Sequence, residues 1–258
     1  MTERMRRYGL GVCGIAVTLV VWQLLVTGPL ADKPFASVPE IAGALRDFVK
    51  DGMFWSSLGQ TLEVALIGLV LSVLGGLVLG VLVGLSDTAY RSLRLTTEFL
   101  KPIPPIVILP LLVLVLGPTP KMGIFLVFIG GVFILMTQTA TGVADVDPVV
   151  LETARSFRLN RRQRISRIVV PTALPFVATG VRICAAAALV IALVSEIIGG
   201  APGLGKDMVL AQATGGYAET YALVVVFGVL GMLINGVLGF VERRLLFWHA
   251  SVRTEVPA

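Results

Sequence analysis

Side chains able to do acid–base or nucleophilic chemistry are scarce in this chain, and those present are not spaced to act together. The single histidine, His249, lies close to the C-terminus. A Ser-His-Asp relay would have to be built on it, outside any run that could enclose a site. One histidine and two cysteines, Cys13 and Cys184, each inside an apolar stretch, give neither a zinc cluster nor a disulfide framework. No G-x-x-x-x-G-K-[ST] loop occurs, so the chain does not hold ATP in the P-loop manner. If ATP drives anything here, another polypeptide hydrolyses it. The residues predict no catalytic centre, no metal and no cofactor.

What polar chemistry there is lies inside apolar runs: Glu63, Arg182 and Glu196, with Glu242 near the end of the last run. Ionised groups in hydrocarbon need a partner or water. Arg182 and Glu196 share one run, but about 21 Å separates them at 1.5 Å per residue, so they cannot pair. Arg182 could snorkel or meet phosphate headgroups. Glu196 suits either the outer interface or the lining of a translocation route, and Glu63 suits the outer interface. Gln138 and Thr141, with Thr137, Thr139 and Asn235, fit a polar pathway or hydrogen bonds between helices. The candidate pathway residues are Gln138, Thr141, Arg182 and Glu196.

A different kind of chemistry, that of docking, is written in Asp145–Pro175. Asp147-Pro148 is a helix start, since aspartate caps free N–H groups and proline is preorganised for the first helical position. Leu151, Ala154 and Phe157 then share or adjoin one face. Asn160 with Gln163 has the pattern of a capping box, and a second, basic helix follows from Arg161 to about Val169. Pro171 and Pro175 are expected to turn the chain there. Two capped helices in sequence make a folded loop, and folded loops between membrane-length runs suit a partner.

The elements that carry these residues are apolar. Hydrophobic residues make up 56% of the chain and charged ones only 14%, where a soluble domain of this length carries about a quarter. Mean hydropathy is +0.91 and the isoelectric point about 9.6. The basic residues fall between the apolar runs, not on one amphipathic face, which indicates membrane topology and excludes nucleic acid as a partner.

Six runs approach or exceed the roughly 20 residues that span about 30 Å of hydrocarbon: Tyr8–Val26, Leu58–Leu85, Ile103–Leu116, Gly123–Val143, Phe176–Gly200 and Tyr221–Leu246. The third, with Pro102, Pro104, Pro105 and Pro110, is expected to be a kinked or partly unwound span beginning nearer Leu93. Of the 21 Lys and Arg residues, fifteen lie on one side of these runs and five on the other, which puts both termini in the cytoplasm. The first run is too long for a signal-peptide core and lacks a small-x-small cleavage site, so it reads as an uncleaved helix with Trp22 as an interfacial anchor. Helical spacing of Val38, Ile41, Leu45 and Phe48 within Phe35–Trp55 predicts a short amphipathic helix along the outer surface, whose commoner use is as a packing element that covers the bundle. Gly76, Gly80 and Gly84 mark a packed helix face, and Gly228, Gly231, Gly236 and Gly239 make a similar small-residue surface.

At this point a resemblance is legible. Glu152, Ala154, Ile168 and Pro171 match, at full spacing, the cytoplasmic EAA loop of ABC importer permeases. In that loop Glu-Ala-Ala, three residues, Gly, nine residues and Ile-x-Leu-Pro follow in order. Thr153, Arg158 and Val170 depart from it. The family glycine suits a helix end with positive φ; Arg158 stands there instead, and Asn160, which tolerates the left-handed region, could take over the turn. Lys101–Pro110, Thr179-Gly180-Val181-Arg182 and Glu196 through Gly203-Leu204-Gly205 resemble the nitrate/sulfonate/taurine-type permeases, so that the likeness runs from Phe35 to Gly205.

The resemblance implies an all-α polytopic membrane protein with six transmembrane helices, the type I ABC importer permease fold. Residues 1–258 would form a single transmembrane permease domain with 145–175 as its cytoplasmic coupling loop. It implies a bacterial inner-membrane location among lipid, a second permease copy in a homodimer, two ATP-binding cassette ATPase subunits beneath and an extracytoplasmic substrate-binding protein. Glu152, Thr153, Ala154, Phe157, Arg158, Ile168 and Pro171 would couple the ATPase to the bundle. Sulfonates, nitrate and vitamin precursors are all conceivable cargo. The rival from another class, an ion-gradient-driven secondary transporter or channel, predicts matching broken helices in two halves, and no convincing repeat is found. An intramembrane enzyme lacks the clustered acids, histidines or serine–base pair it would need.

Overall fold

Gly68, Ser72, Gly76, Gly80 and Gly84 recur every four residues along one helix, and that row sets the core. The structure, a computed structural model, describes residues 3–31 and 33–247. His249 and Arg253 lie outside the described residues, and the side chains of Arg4, Arg6 and Arg7 are likewise not described. The glycine-bearing helix, α3 (Gly52–Leu85), follows α1 (Glu3–Thr27) and α2 (Val38–Lys50). It lies against α6 (Pro120–Ala144), where Val127, Gly131, Leu135, Thr139 and Val143 also recur every four residues. The two rows meet in step: Gly68 on Val127, Ser72 on Gly131, Gly76 on Leu135, Gly80 on Thr139, Gly84 on Val143. A side chain at any of these glycines would overlap the partner helix, so small residues allow the close backbone approach that holds helices together where lipid removes the hydrophobic driving force.

The third member of the core is α9 (Val170–Ile197). Gly131 also meets Cys184, Gly142 meets Ala173 and Phe176, and Gly180 meets Gln138. Val64, Ala65, Val127, Ala188 and Ala192 fill the space where α3, α6 and α9 come together. Outward faces carry large exposed apolar side chains on α1, α3 and α11 (Tyr217–Leu245), as lipid-facing surfaces do. The four glycines of α11 have open space before them, so among the described residues they form no packed face.

Among the described residues, five helices are long and apolar enough to cross a membrane, or six if one bent pair is taken as a single span. That pair sharpens the expected third span. Amphipathic α4 (Asp87–Leu100) and apolar α5 (Pro105–Leu116) meet at 86°, an unwound break at the proline cluster where a kinked or partly unwound span was expected. Three prolines between residues 102 and 105 remove three donors in one turn and bias the residues before them out of the helical region.

The expected amphipathic helix is α2, capped by Ser37 and Glu40 in a reciprocal box. Its Phe48 packs with Phe54, Leu223 and Leu230. Trp22 of α1 sits in an aromatic trio with Phe35 and Tyr221, and its indole N–H donates to the Ala36 carbonyl at 3.0 Å.

Candidate functional site: the loop between the fourth and fifth spans

Local capping chemistry builds the loop as expected. Helix α7 (Pro148–Ser156) starts on Asp147, whose carboxylate accepts the Val149 N–H at 2.8 Å, with Pro148 in the first turn. A second short helix, α8 (Arg161–Arg164), starts on Asn160: its side chain accepts the Gln163 N–H at 2.8 Å and the Gln163 side chain accepts the Asn160 N–H at 3.0 Å.

Between the two helices the turn falls on Arg158, not on Asn160. Arg158 has φ +55°, the one non-glycine residue with positive φ among those described, whereas Asn160 is extended at φ −70°, ψ 167°. The Leu159 N–H reaches back to the Ala154 carbonyl at 3.0 Å and the Arg158 N–H to that of Arg155 at 2.8 Å. These are the two bonds of a Schellman ending, and they hold the residue at its centre in the left-handed region whatever its side chain. Asn160 is unavailable because its own backbone must be extended to cap α8. A left-handed non-glycine residue costs about 1–2 kcal/mol. Arg158→Gly relieves that, less what glycine returns to the unfolded chain, and raises the melting temperature of the detergent-purified chain; Arg158→Val lowers it. Scanning fluorimetry reads both, and the opposite order would refute the assignment.

The expected turn at Pro171 and Pro175 is a second correction. From Arg161 to Ile197 the chain is one helix of 37 residues, about 55 Å at 1.5 Å per residue. Ile165–Val169 forms a π-helical turn ahead of Pro171, and the Val170 N–H bonds five residues back to Ile165. The wider turn admits a proline where an α-helical ladder would break.

The predicted coupling residues divide between two faces. Ala154 is 3% exposed, and Leu151, on the same side of α7, packs with Ile168 on Val143, Val146, Val169 and Ala173. The small residue is thus buried in its own chain. Glu152, Thr153 and Arg158 are exposed, as is Phe157 at 78%. With Val149, Thr153 and Phe157 four residues apart, the free side of α7 is an apolar stripe beside charged residues.

The four intramembrane candidates do not converge on one cavity. Thr141 lines a space of about 360 Å³ of mixed polar and apolar walls with Thr137, Tyr90, Arg94 and Lys101. Gln138 packs its stem on Gly180 at the α6–α9 contact. Arg182 donates from Nε to Asn235 of α11 at 2.9 Å and lies 3.6 Å from the Glu242 carboxylate, joining α9 to α11. Glu196 is 1% exposed and bonded within the bundle. Its Oε2 accepts the Gly205 N–H at 2.8 Å and the Thr61 hydroxyl at 3.1 Å.

Residues 72–247 match the family model described as binding-protein-dependent transport system inner membrane component. The chain belongs to this family. The permease is 26% identical over 237 residues to the nitrate import permease protein NrtB of Leptolyngbya laminosa, covering 89% of this chain and 85% of that one. It is 29% identical over 259 residues to the taurine transport system permease protein TauC of Escherichia coli K12, covering 96% and 92%. A chain of the MetNI methionine ABC transporter in its inward-facing conformations has the same fold, with a TM-score of 0.64 at 17% identity over 75% of the permease and 98% of that chain. The family places it in the inner membrane as a multi-pass transport subunit.

Sequence reasoning missed the partners more than the residues. Opposite charge on Arg182 and Glu242 was a usable signal, because intramembrane ions pair with one another. Nothing local marked Thr61, which is 135 residues from Glu196.

Proposed function

We propose that this chain forms the substrate pathway of an ATP-driven importer as a dimer of two permease copies, with an ATPase subunit seated against α7 of each copy. The observation that carries the reading is the free stripe Val149, Thr153 and Phe157 on a capped helix whose other side is locked to the bundle. A partner bound to that stripe pushes on α6 and α9 directly, since α7 follows the end of α6 and α8 is continuous with α9. The excess of Lys and Arg supports a cytoplasmic loop and cytoplasmic termini. Glu152, Thr153 and Phe157 make the contact; Ala154, Arg158, Ile168 and Pro171 hold the loop in shape for it.

Relatives named for nitrate and taurine support a small oxyanion-bearing solute as cargo, delivered by an extracytoplasmic binding protein. Gln138 and Thr141 are the pathway residues this reading retains; Arg182 and Glu196 are committed to partners within the chain. Purification of the intact chain from its native membrane is expected to bring an ATPase with it, and proteoliposomes of that complex to take up solute with ATP. Uptake driven by an ion gradient without ATP would establish the secondary transporter instead.

A further inference from the structure

At the end of the bundle remote from the loop, a short helix has no cap of its own. Helix α10 (Leu204–Ala213) begins after Gly203, which has no side chain to offer. The first N–H groups of a helix lack intrahelical acceptors and must find them elsewhere. Here two other helices supply them. Leu204 N–H donates to the Thr61 hydroxyl of α3 at 3.0 Å, and Gly205 N–H donates to Glu196 Oε2, in the last turn of α9, at 2.8 Å. The Thr61 hydroxyl in turn reaches the same Oε2 at 3.1 Å, with the Ser57 carbonyl also at 3.1 Å. One carboxylate oxygen therefore ties three helices together.

The backbone is shaped to this carboxylate. Gly203 sits at φ +148°, and a Cβ there would overlap the Glu196 carboxyl group. A Cβ on Gly205 would come within 3.0 Å of Oε2 and 2.8 Å of the Glu196 Cβ. Leu204 is buried beside Phe54, Leu189, Leu223 and Leu230, so α10 is fixed by packing as well as by its start. The other oxygen, Oε1, is buried with no hydrogen-bond partner among the described residues. What the site uses is an acceptor at one position, which a glutamine amide also provides.

We infer that Glu196 and Thr61 are positioning residues for transport: they make α10 the fixed extension of the α9 rod, so that α10 travels with whatever displaces the loop at the other end. This rests on the reading of the chain as an ATP-coupled permease. Glu196 lies at one end of a helix whose other end is α8, and Thr61 of α3 is bonded to it there. A buried, closely packed hydrogen-bond network transmits displacement because it has little slack to absorb it.

The test uses the complete transporter with its ATPase and binding protein in proteoliposomes. Glu196→Ala and Thr61→Val are expected to lower uptake at least tenfold and to remove binding-protein stimulation of ATP hydrolysis. Glu196→Gln and Thr61→Ser stay within about threefold of wild type, the amide and the smaller hydroxyl keeping the acceptor. Hydrogen exchange at residues 204–213 should quicken at least tenfold in Glu196→Ala and remain unchanged in Glu196→Gln. Wild-type uptake in Glu196→Ala, or unchanged exchange there, overturns the inference. So does a Glu196→Gln variant as defective as the alanine, since charge and not an acceptor would then be required. If the wild-type chain holds no ATPase, the permease reading fails separately, and hydrogen exchange still decides whether Glu196 and Thr61 dock α10.

Discussion

Replacing Phe157 with aspartate, or Glu152 with lysine, should lower ATP-driven uptake tenfold or more while the chain still inserts and folds. Neither side chain supports its own chain: Phe157 is 78% exposed, and Glu152 is exposed with no side-chain hydrogen bond or ion pair among the described residues. Exposed aromatics are unremarkable where lipid covers them, but Phe157 lies among Arg155, Arg158, Arg161 and Arg162, a surface that belongs in water. Burying a phenylalanine in a partner contributes about 1.5–3 kcal/mol, equal to roughly a ten- to 150-fold change in affinity. Aspartate forfeits that and adds a desolvation cost. Lysine at position 152 reverses a charge on a loop already rich in arginine. Co-purification of the ATPase and solute uptake are the two measurements. Normal values of both in the Phe157 variant would remove α7 from the coupling surface.

The contrast within this loop marks what a sequence can disclose. Asp147, Pro148, Asn160 and Gln163 were legible because a cap is made by residues within three positions of one another, and local chemistry decides it. Arg158 was not, because its left-handed backbone is imposed by two bonds to the end of α7 that override the preference of the side chain. Pro171 misled for a similar reason: proline breaks an α-helical ladder, and a π turn is a way round it that no propensity announces. The proline cluster at 102–105 did forecast a discontinuity, though its size depends on where α5 is held.

Longer-range pairing was harder. Glycines at 76, 80 and 84 advertised a packed face, but α11 carries glycines too and packs none of them within the chain. Which row meets a partner depends on small and β-carbon-bearing residues facing it in register, and α6 had to be in place to reveal that. Glu196 drew attention as an ionisable group in an apolar run. Its use emerged only when folding brought Thr61 and the start of α10 beside it. Buried polar groups in lipid are satisfied by helix neighbours that sequence distance conceals.

Gly76→Val is expected to abolish stable folding of the chain. A Cβ at position 76 overlaps that of Leu135, and it comes within 3.0 Å of two backbone atoms, the Met136 nitrogen and the Val132 carbonyl oxygen. A side chain could swing aside; backbone in the middle of a helix cannot. The α3 and α6 axes would have to separate, and the whole in-step row from Gly68 to Gly84 would lose contact together. Overpacking a tight core costs about 1–3 kcal/mol for one site, and more where several contacts open at once. Water offers no compensating force in the bilayer, since exposed apolar surface there is simply covered by lipid. Gly228→Val, a same-sized change on α11 with nothing within 4 Å, should leave the chain's own fold intact. Size-exclusion profiles and melting temperatures of the two detergent-purified variants make the comparison. A monodisperse Gly76→Val protein melting with wild type would show that α3 and α6 are not held by backbone approach, and the rigid unit on which the loop acts would have to be sought elsewhere.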